Sequence, residues 1–158
     1  MTVNLVAVIG GAIADPEEYS LARELGRNLA DEGYTIVCGG GTGIMEAVCR
    51  GAREAGGHTI GVLPGVNPSD ANEYVETVLV TGMGTSRNRI ISLSGRVVVA
   101  VGGMYGTLSE IAFALQAGRP VCAMGTWNVI DGVTPVNSPQ EALEFVRENF
   151  RGIDAEHN

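Results

Sequence analysis

Lysine is absent from this chain of 158 residues: all ten basic side chains are arginine. That excludes a Schiff base to pyridoxal phosphate, and with it lysine decarboxylation of that kind. It also excludes the GxxxxGK[ST] loop of the P-loop nucleotide hydrolases. Aromatic residues are few, at 5%, so the core has to be built from Val, Ile, Leu and Ala. The cysteines, Cys38, Cys49 and Cys122, have no CxxC spacing, and His58 and His157 fall in no metal-ligand pattern with them. Buried, reduced thiols and no metal are the expectation, as in a reducing cytoplasm. The opening MTVNLVAVIGG has no charged segment ahead of an apolar run about half the length of a spanning helix, so it reads as a first strand. Basic runs are absent too. The net charge of −8 disfavours nucleic acid and anionic membrane as partners, and leaves any phosphate to be held by local devices.

Glycine and aliphatic residues are plentiful. Twenty-three glycines and a hydrophobic share of 45% suit short aliphatic strands joined by tight turns. A chain of this size buries roughly 70% of its extended surface, so residues 1–150 are expected to form one domain, followed by a frayed polar tail at 151–158. Strands are expected at Leu5 to Ile9, Tyr34 to Cys38, Thr59 to Leu63, Glu76 to Val80, Val97 to Val101 and Pro120 to Met124. Asp15-Pro16-Glu17-Glu18 caps a first helix and Ser138-Pro139-Gln140-Glu141 a last one. Between them lie Ile44 to Ala55, a short helix after MGTSRNR, and one from about Thr107 to Ala117. Val97 to Val101 is apolar on both faces, the habit of a buried parallel strand. Strands and helices alternating through right-handed crossovers give an α/β fold: a single doubly wound, mostly parallel, Rossmann-like sheet with helices on both faces.

Such sheets bind ligands where their strands end. The dinucleotide fingerprint GxGxxG fits no register, since its last glycine is Ile44 counted from Gly39, Glu46 from Gly41 and Arg87 from Gly82. NAD and FAD are therefore not expected, and no cofactor is assigned. Two other glycine loops, GGGTG and GGMYGT, each follow a buried strand and open a helix, where free N–H groups and the helix dipole attract an anion. Gly40, Gly41, Thr42 and Gly43 in the first, and Gly103, Tyr105, Gly106 and Thr107 in the second, are candidate phosphate ligands. For either loop alone the alternative is a plain tight turn. Arg87 falls near the start of a helix, where a cation faces the positive helix end and calls for a carboxylate or phosphate, unless it is simply solvated. Arg89 reads as a surface residue. Glu110 lies one turn below the second loop. It can reach a ligand at the sheet edge, or it can cap its own helix as the end of Thr107-Leu108-Ser109-Glu110.

The segments GGGTGIMEA, MGTSRNR and GGMYGTLSE, spread over about residues 39–110, together resemble the LOG family of cytokinin-activating phosphoribohydrolases and the related molybdenum cofactor carrier proteins. Family hydrolases show PGGxGTxxE and an upstream methionine followed by arginine. The matching positions here are Gly103, Gly106, Thr107 and Glu110, with Met83 and Arg87 upstream. The motif's proline is Gly102 in this chain, its second glycine is Met104, and the basic residue after the arginine is Asn88. The resemblance implies a nucleoside 5′-monophosphate held by the glycine loops, with its ribose near Arg87 and Glu110. Its N-glycosidic bond would break through an oxocarbenium-like state that Glu110 stabilises or meets with activated water, releasing free base and ribose 5-phosphate. The resemblance also implies another use of such a site, a carrier that holds a phosphorylated ligand such as a pterin without chemistry. A homodimer is implied too, for which Ile90, Ile91, Leu93, Ile111, Phe113 and Leu115 are the apolar candidates.

Overall fold

The structure, a computed structural model, describes residues 4–125 and 127–156. Its strands are β1 (Leu5–Gly10), β2 (Thr35–Cys38), β3 (Thr59–Leu63), β4 (Thr77–Val80), β5 (Val97–Val101), β6 (Val121–Met124) and β7 (Val133–Pro135). They form one sheet in the order β4-β3-β2-β1-β5-β6-β7. Every neighbouring pair is parallel. The helices are α1 (Pro16–Asp31), α2 (Ile44–Glu54), α3 (Asn88–Ser94), α4 (Tyr105–Gln116) and α5 (Pro139–Glu156).

Alternation along the central strands explains why both faces are covered. Val6 and Val8 of β1, with Val97, Val99 and Val101 of β5, pack on one side with residues of α1, α2 and α5. Ala7, Ile9, Val98 and Ala100 point the other way, toward Ile91 of α3 and Ile111 and Ala114 of α4. Burying each such Val, Ile or Leu side chain is worth about 1.5–3 kcal/mol, so the two layers together fix the register of the sheet.

The first helix starts as its sequence requires. Asp15 accepts a 2.8 Å hydrogen bond from the Glu18 N–H, Glu18 accepts one of 3.1 Å from the Asp15 N–H, and Pro16 follows the cap. Helices α1 and α2 then meet backbone to backbone through two glycines. A Cβ at Gly26 would lie 2.1 Å from the Val48 carbonyl oxygen, and one at Gly51 would lie 1.8 Å from that of Arg23.

Apart from shifts of one residue at element ends, two helix limits and one strand differ from the sequence reading. Helix α5 continues to Glu156 instead of fraying after residue 150, with His157 and Asn158 outside the described residues. Helix α4 begins at Tyr105, two residues before Thr107. The edge strand β7 was not foreseen, because three residues ending in a proline carry too little pattern to read. No helix among the described residues is long and apolar enough to cross a membrane.

Candidate functional site

Strands β1 and β5 are neighbours, yet β1 leads into α1 on one face of the sheet and β5 into α4 on the other. Their loops part over the carboxyl ends of the strands, the place where open α/β sheets take ligands. A cleft of about 550 Å³ opens there. Ile9 to Ile13 and Glu18 line one side, Gly103, Met104, Gly106, Thr107 and Glu110 another, and Gly39, Met45, Thr85, Arg87 and Asn88 the rest.

The amino end of α4 opens on this cleft without a side-chain cap. The Leu108 N–H bonds the Met104 carbonyl at 2.9 Å, whereas the N–H groups of Tyr105, Gly106 and Thr107 precede the first helical acceptor. Gly103, at φ 88°, lets the chain turn tightly enough for Thr107 to tuck beneath it, since a Cβ there would lie 2.1 Å from Thr107 Oγ1. Uncapped amides and the positive helix end together favour negative charge there.

Arg87 is held from three directions. Its Nε donates to the Val62 carbonyl at 2.9 Å, its Nη1 donates to Asn88 Oδ1, and its Nη2 lies so close to Gly39 that a Cβ there would stand 2.8 Å away. Burial lowers its pKa, while the Glu110 carboxyl and the Cys38 thiol raise it. A guanidinium keeps its proton throughout. Asn88, itself buried, donates to Ser109 Oγ at 3.2 Å and so ties α3 to α4. Glu110 is only 7% exposed, at the floor of the cleft. Burial pushes its pKa up to about 8 against the pull of Arg87, so near neutral pH the folded chain carries it largely as the protonated acid.

Of the expected site residues, Arg87, Glu110, Gly103, Gly106 and Thr107 meet in the cleft. Gly40, Gly41, Thr42, Gly43, Met83 and Tyr105 stand outside its lining. The reason is visible in the GGGTG loop, which is committed to its neighbours. Asn72 donates to the carbonyls of Gly40 and Gly41, Thr42 Oγ1 donates to the Ala12 carbonyl, and the Ile44 N–H donates to that of Gly11. Met83 and Tyr105 point to solvent, Tyr105 being 77% exposed. The reading of Glu110 as a helix cap fails, since both it and Thr107 lie inside α4. Sequence reasoning missed the stretch Gly10 to Ile13, Glu18 and Asn88. The rule that ligands bind where neighbouring strands diverge points to the loop after β1, but Gly10 to Ile13 carry no side chain that would mark them as polar ligands.

The model of the SLOG cluster4 family matches residues 3–149. The chain belongs to that family. Among solved structures it is similar to the molybdenum cofactor binding protein of Rippkaea orientalis, with a TM-score of 0.89 and 34% identity over 94% of this chain and 98% of that one. The molybdenum cofactor carrier protein of Chlamydomonas reinhardtii is also similar, with a TM-score of 0.87 and 34% identity over 95% and 99% of the two chains. A cytokinin riboside 5′-monophosphate phosphoribohydrolase of Mycobacterium tuberculosis is 32% identical over 74% of this chain and 67% of its own length. The similarity thus extends to both kinds of protein that its glycine motifs resemble.

One departure from the hydrolase motif has a structural basis. At residue 102, where that motif has proline, the backbone adopts φ 55° and its N–H donates to the Met124 carbonyl at 3.0 Å. Proline is locked near φ −65° and has no N–H to give. The loop therefore follows a path that the hydrolase motif cannot follow.

Proposed function

We propose that the protein binds a phosphorylated heterocycle, a nucleoside monophosphate or a pterin phosphate, in the cleft between β1 and β5, and holds it as a carrier rather than cleaving it. The observation that carries this reading is the uncapped amino end of α4, with Gly103, Gly106 and Thr107 facing the same cleft as Arg87. The phosphate is assigned to that helix end, and the planar part of the ligand to the apolar walls made by Ile9, Ile13, Met45 and Met104. Where the cargo carries a metal, these residues would grip its phosphate and ring. Among the described residues no group of three or more His, Cys, Asp or Glu is arranged to hold a metal ion.

Similarity over nearly the whole of both chains to the two molybdenum cofactor proteins supports the carrier reading. So does the altered loop at Gly102. A second reading, hydrolysis of a nucleoside 5′-monophosphate, is favoured by Arg87 and Glu110 sharing one cleft and by the similarity to the mycobacterial enzyme. There the protonated Glu110 would act as a general acid toward the departing base, and Arg87 would orient the ligand. The deciding experiment combines a melting scan with chromatography of mixtures containing adenosine and cytokinin-type monophosphates. A raised melting temperature with no free base supports the carrier. Release of base and ribose 5-phosphate that vanishes in Glu110→Gln establishes the hydrolase.

We assign a homodimer as the working assembly. Ile91 and Ile111 are fully buried in the core, which leaves the half-buried Ile90, Leu93, Phe113 and Leu115 on α3 and α4 to form the contact.

A further inference from the structure

The loop path at Gly102 leaves room for something specific. The side chain of Glu18 folds back from the first turn of α1, and its Oε1 stands 2.5 Å from where a Cβ of residue 102 would be. Any side chain at 102 would displace this carboxylate. Its other oxygen, Oε2, accepts the Asp15 N–H at 3.1 Å, so one oxygen is anchored while the other is turned toward Gly102. Glu18 lines the cleft, as does the Met104 that follows the Gly102-Gly103 turn.

We infer that Glu18 is a specificity-determining residue, an acceptor that reads paired hydrogen-bond donors on the ligand. This rests on the phosphate-ligand reading proposed above. A carboxylate here is a poor neighbour for phosphate, so it sets the polarity of binding. The phosphate goes to the α4 amides, and the donor-bearing part of the ligand turns to Glu18. Two ligand features carry such donors: the amino-pyrimidinone edge of a guanine or pterin ring, and the vicinal diol of a ribose. Both present N–H or O–H donors to the free carboxylate oxygen, and a hydrogen bond to an ionised acceptor is roughly twice as strong as a neutral one. Glu110 gives an independent sign that the cleft is built for a polar ligand. It is 93% buried by the 7% exposure it retains, it faces the cleft, and no hydrogen bond to its carboxyl is present among the described residues.

The experiment uses the intact protein and measures dissociation constants of GMP, IMP, 2′-deoxy-GMP and inorganic phosphate by calorimetry. IMP lacks the ring amino group and 2′-deoxy-GMP lacks one hydroxyl of the diol. Wild type should prefer GMP over one of these two by about tenfold, the size expected for a hydrogen bond to a charged group, and the analogue that suffers identifies the feature read. Glu18→Gln keeps the carbonyl oxygen that the Asp15 N–H needs, so α1 stays capped, and it should level that preference while leaving inorganic phosphate binding undiminished. Glu18→Asp, one methylene shorter, should level it as well. A preference that survives in both variants, or a wild type that binds all three nucleotides alike, overturns the role of Glu18 while the phosphate site stands. If wild type binds neither nucleotide nor inorganic phosphate, the phosphate-ligand reading falls and takes this role with it.

Discussion

Glu110 and Arg87 line the same cleft, and burial outweighs the arginine in setting the charge of the carboxyl. The guanidinium donates two of its hydrogen bonds to Val62 and Asn88, so it opposes the burial of the carboxyl through space only. Near neutral pH the acid is thus kept largely in its protonated form at the place where a ligand would meet it.

This predicts a pH-dependent stability. The folded pKa of about 8 lies above the value of about 4.3 in an unfolded chain. Between those values the folded protein keeps a proton that the unfolded chain has released. Stability therefore falls as pH rises through that window, by at most about 1.4 kcal/mol per unit from this group, and the loss is complete above it. Glu110→Gln cannot ionise. In urea titrations it should be more stable than wild type at pH 9 and lose the advantage toward pH 5. Parallel curves for the two proteins would show that Glu110 is ionised in the fold.

Removing the opposing charge should move the same titration upward. In Arg87→Met the Glu110 carboxyl, followed by carbon-detected NMR, is expected to titrate at higher pH than in wild type. The variant should also lose about 1–3 kcal/mol of stability, because the buried Val62 carbonyl loses its partner. An unmoved Glu110 titration would mean that the two groups do not sense each other.

Restoring the hydrolase motif at residue 102 should do harm. Gly102→Pro must abandon φ 55° and the bond to Met124, and it displaces the Glu18 carboxylate. A loss of about 3 kcal/mol or more is expected, with no gain in release of free base. Full stability in that variant would show that the loop can take the other path.

The crossing of α1 and α2 offers a prediction remote from the cleft. Gly51→Ala places a methyl group 1.8 Å from the Arg23 carbonyl, which the helices can relieve only by moving apart. A loss of about 1–3 kcal/mol follows, read as a lower melting temperature. Gly56→Ala, where nothing lies within 4 Å of the added methyl, is the control for composition, its cost limited to backbone strain at φ 77°.

The dimer is tested most directly by mass in solution. Sedimentation at micromolar concentration should give twice the 16.4 kDa of one chain, and Phe113→Glu should shift the population toward the monomer. A wild type that sediments at 16.4 kDa rules the assembly out.

Much of this architecture is legible in the sequence because its signals are local and redundant. Asp15-Pro16-Glu17-Glu18 announces a helix with every residue of its first turn, and Val97 to Val101 can only be a strand covered on both sides. Arg87 and Glu110, with Gly103, Gly106 and Thr107, are singled out in the sequence by chemistry and motif together, and the fold brings them into one cleft. The errors come from contacts that no local pattern encodes. Where GGGTG lies relative to the cleft depends on Asn72, far along the chain, which holds the carbonyls of Gly40 and Gly41, and on the Ala12 carbonyl, which holds the Thr42 hydroxyl. Glu18 was read as a capping residue and does cap, yet one carboxylate has two oxygens, and only the fold shows where the second one points. Strand β7 escaped because Val133 alone in it is buried.

The pairing of β1 with β5, in which Val6 lies opposite Val97 and Ile9 opposite Ala100, bears on how the protein comes into being. As the chain leaves the ribosome, β2 can cover one edge of β1 early, but the other edge has to wait until β5 has been synthesised. Throughout that interval Val6, Ala7, Val8 and Ile9 offer an open apolar edge to any other nascent strand. Contacts so distant in the chain also close slowly. The cleft, which opens between the loops that follow those two strands, is therefore among the last features to exist, and a chain released before residue 101 has the loop after β1 but no opposite wall for it to face.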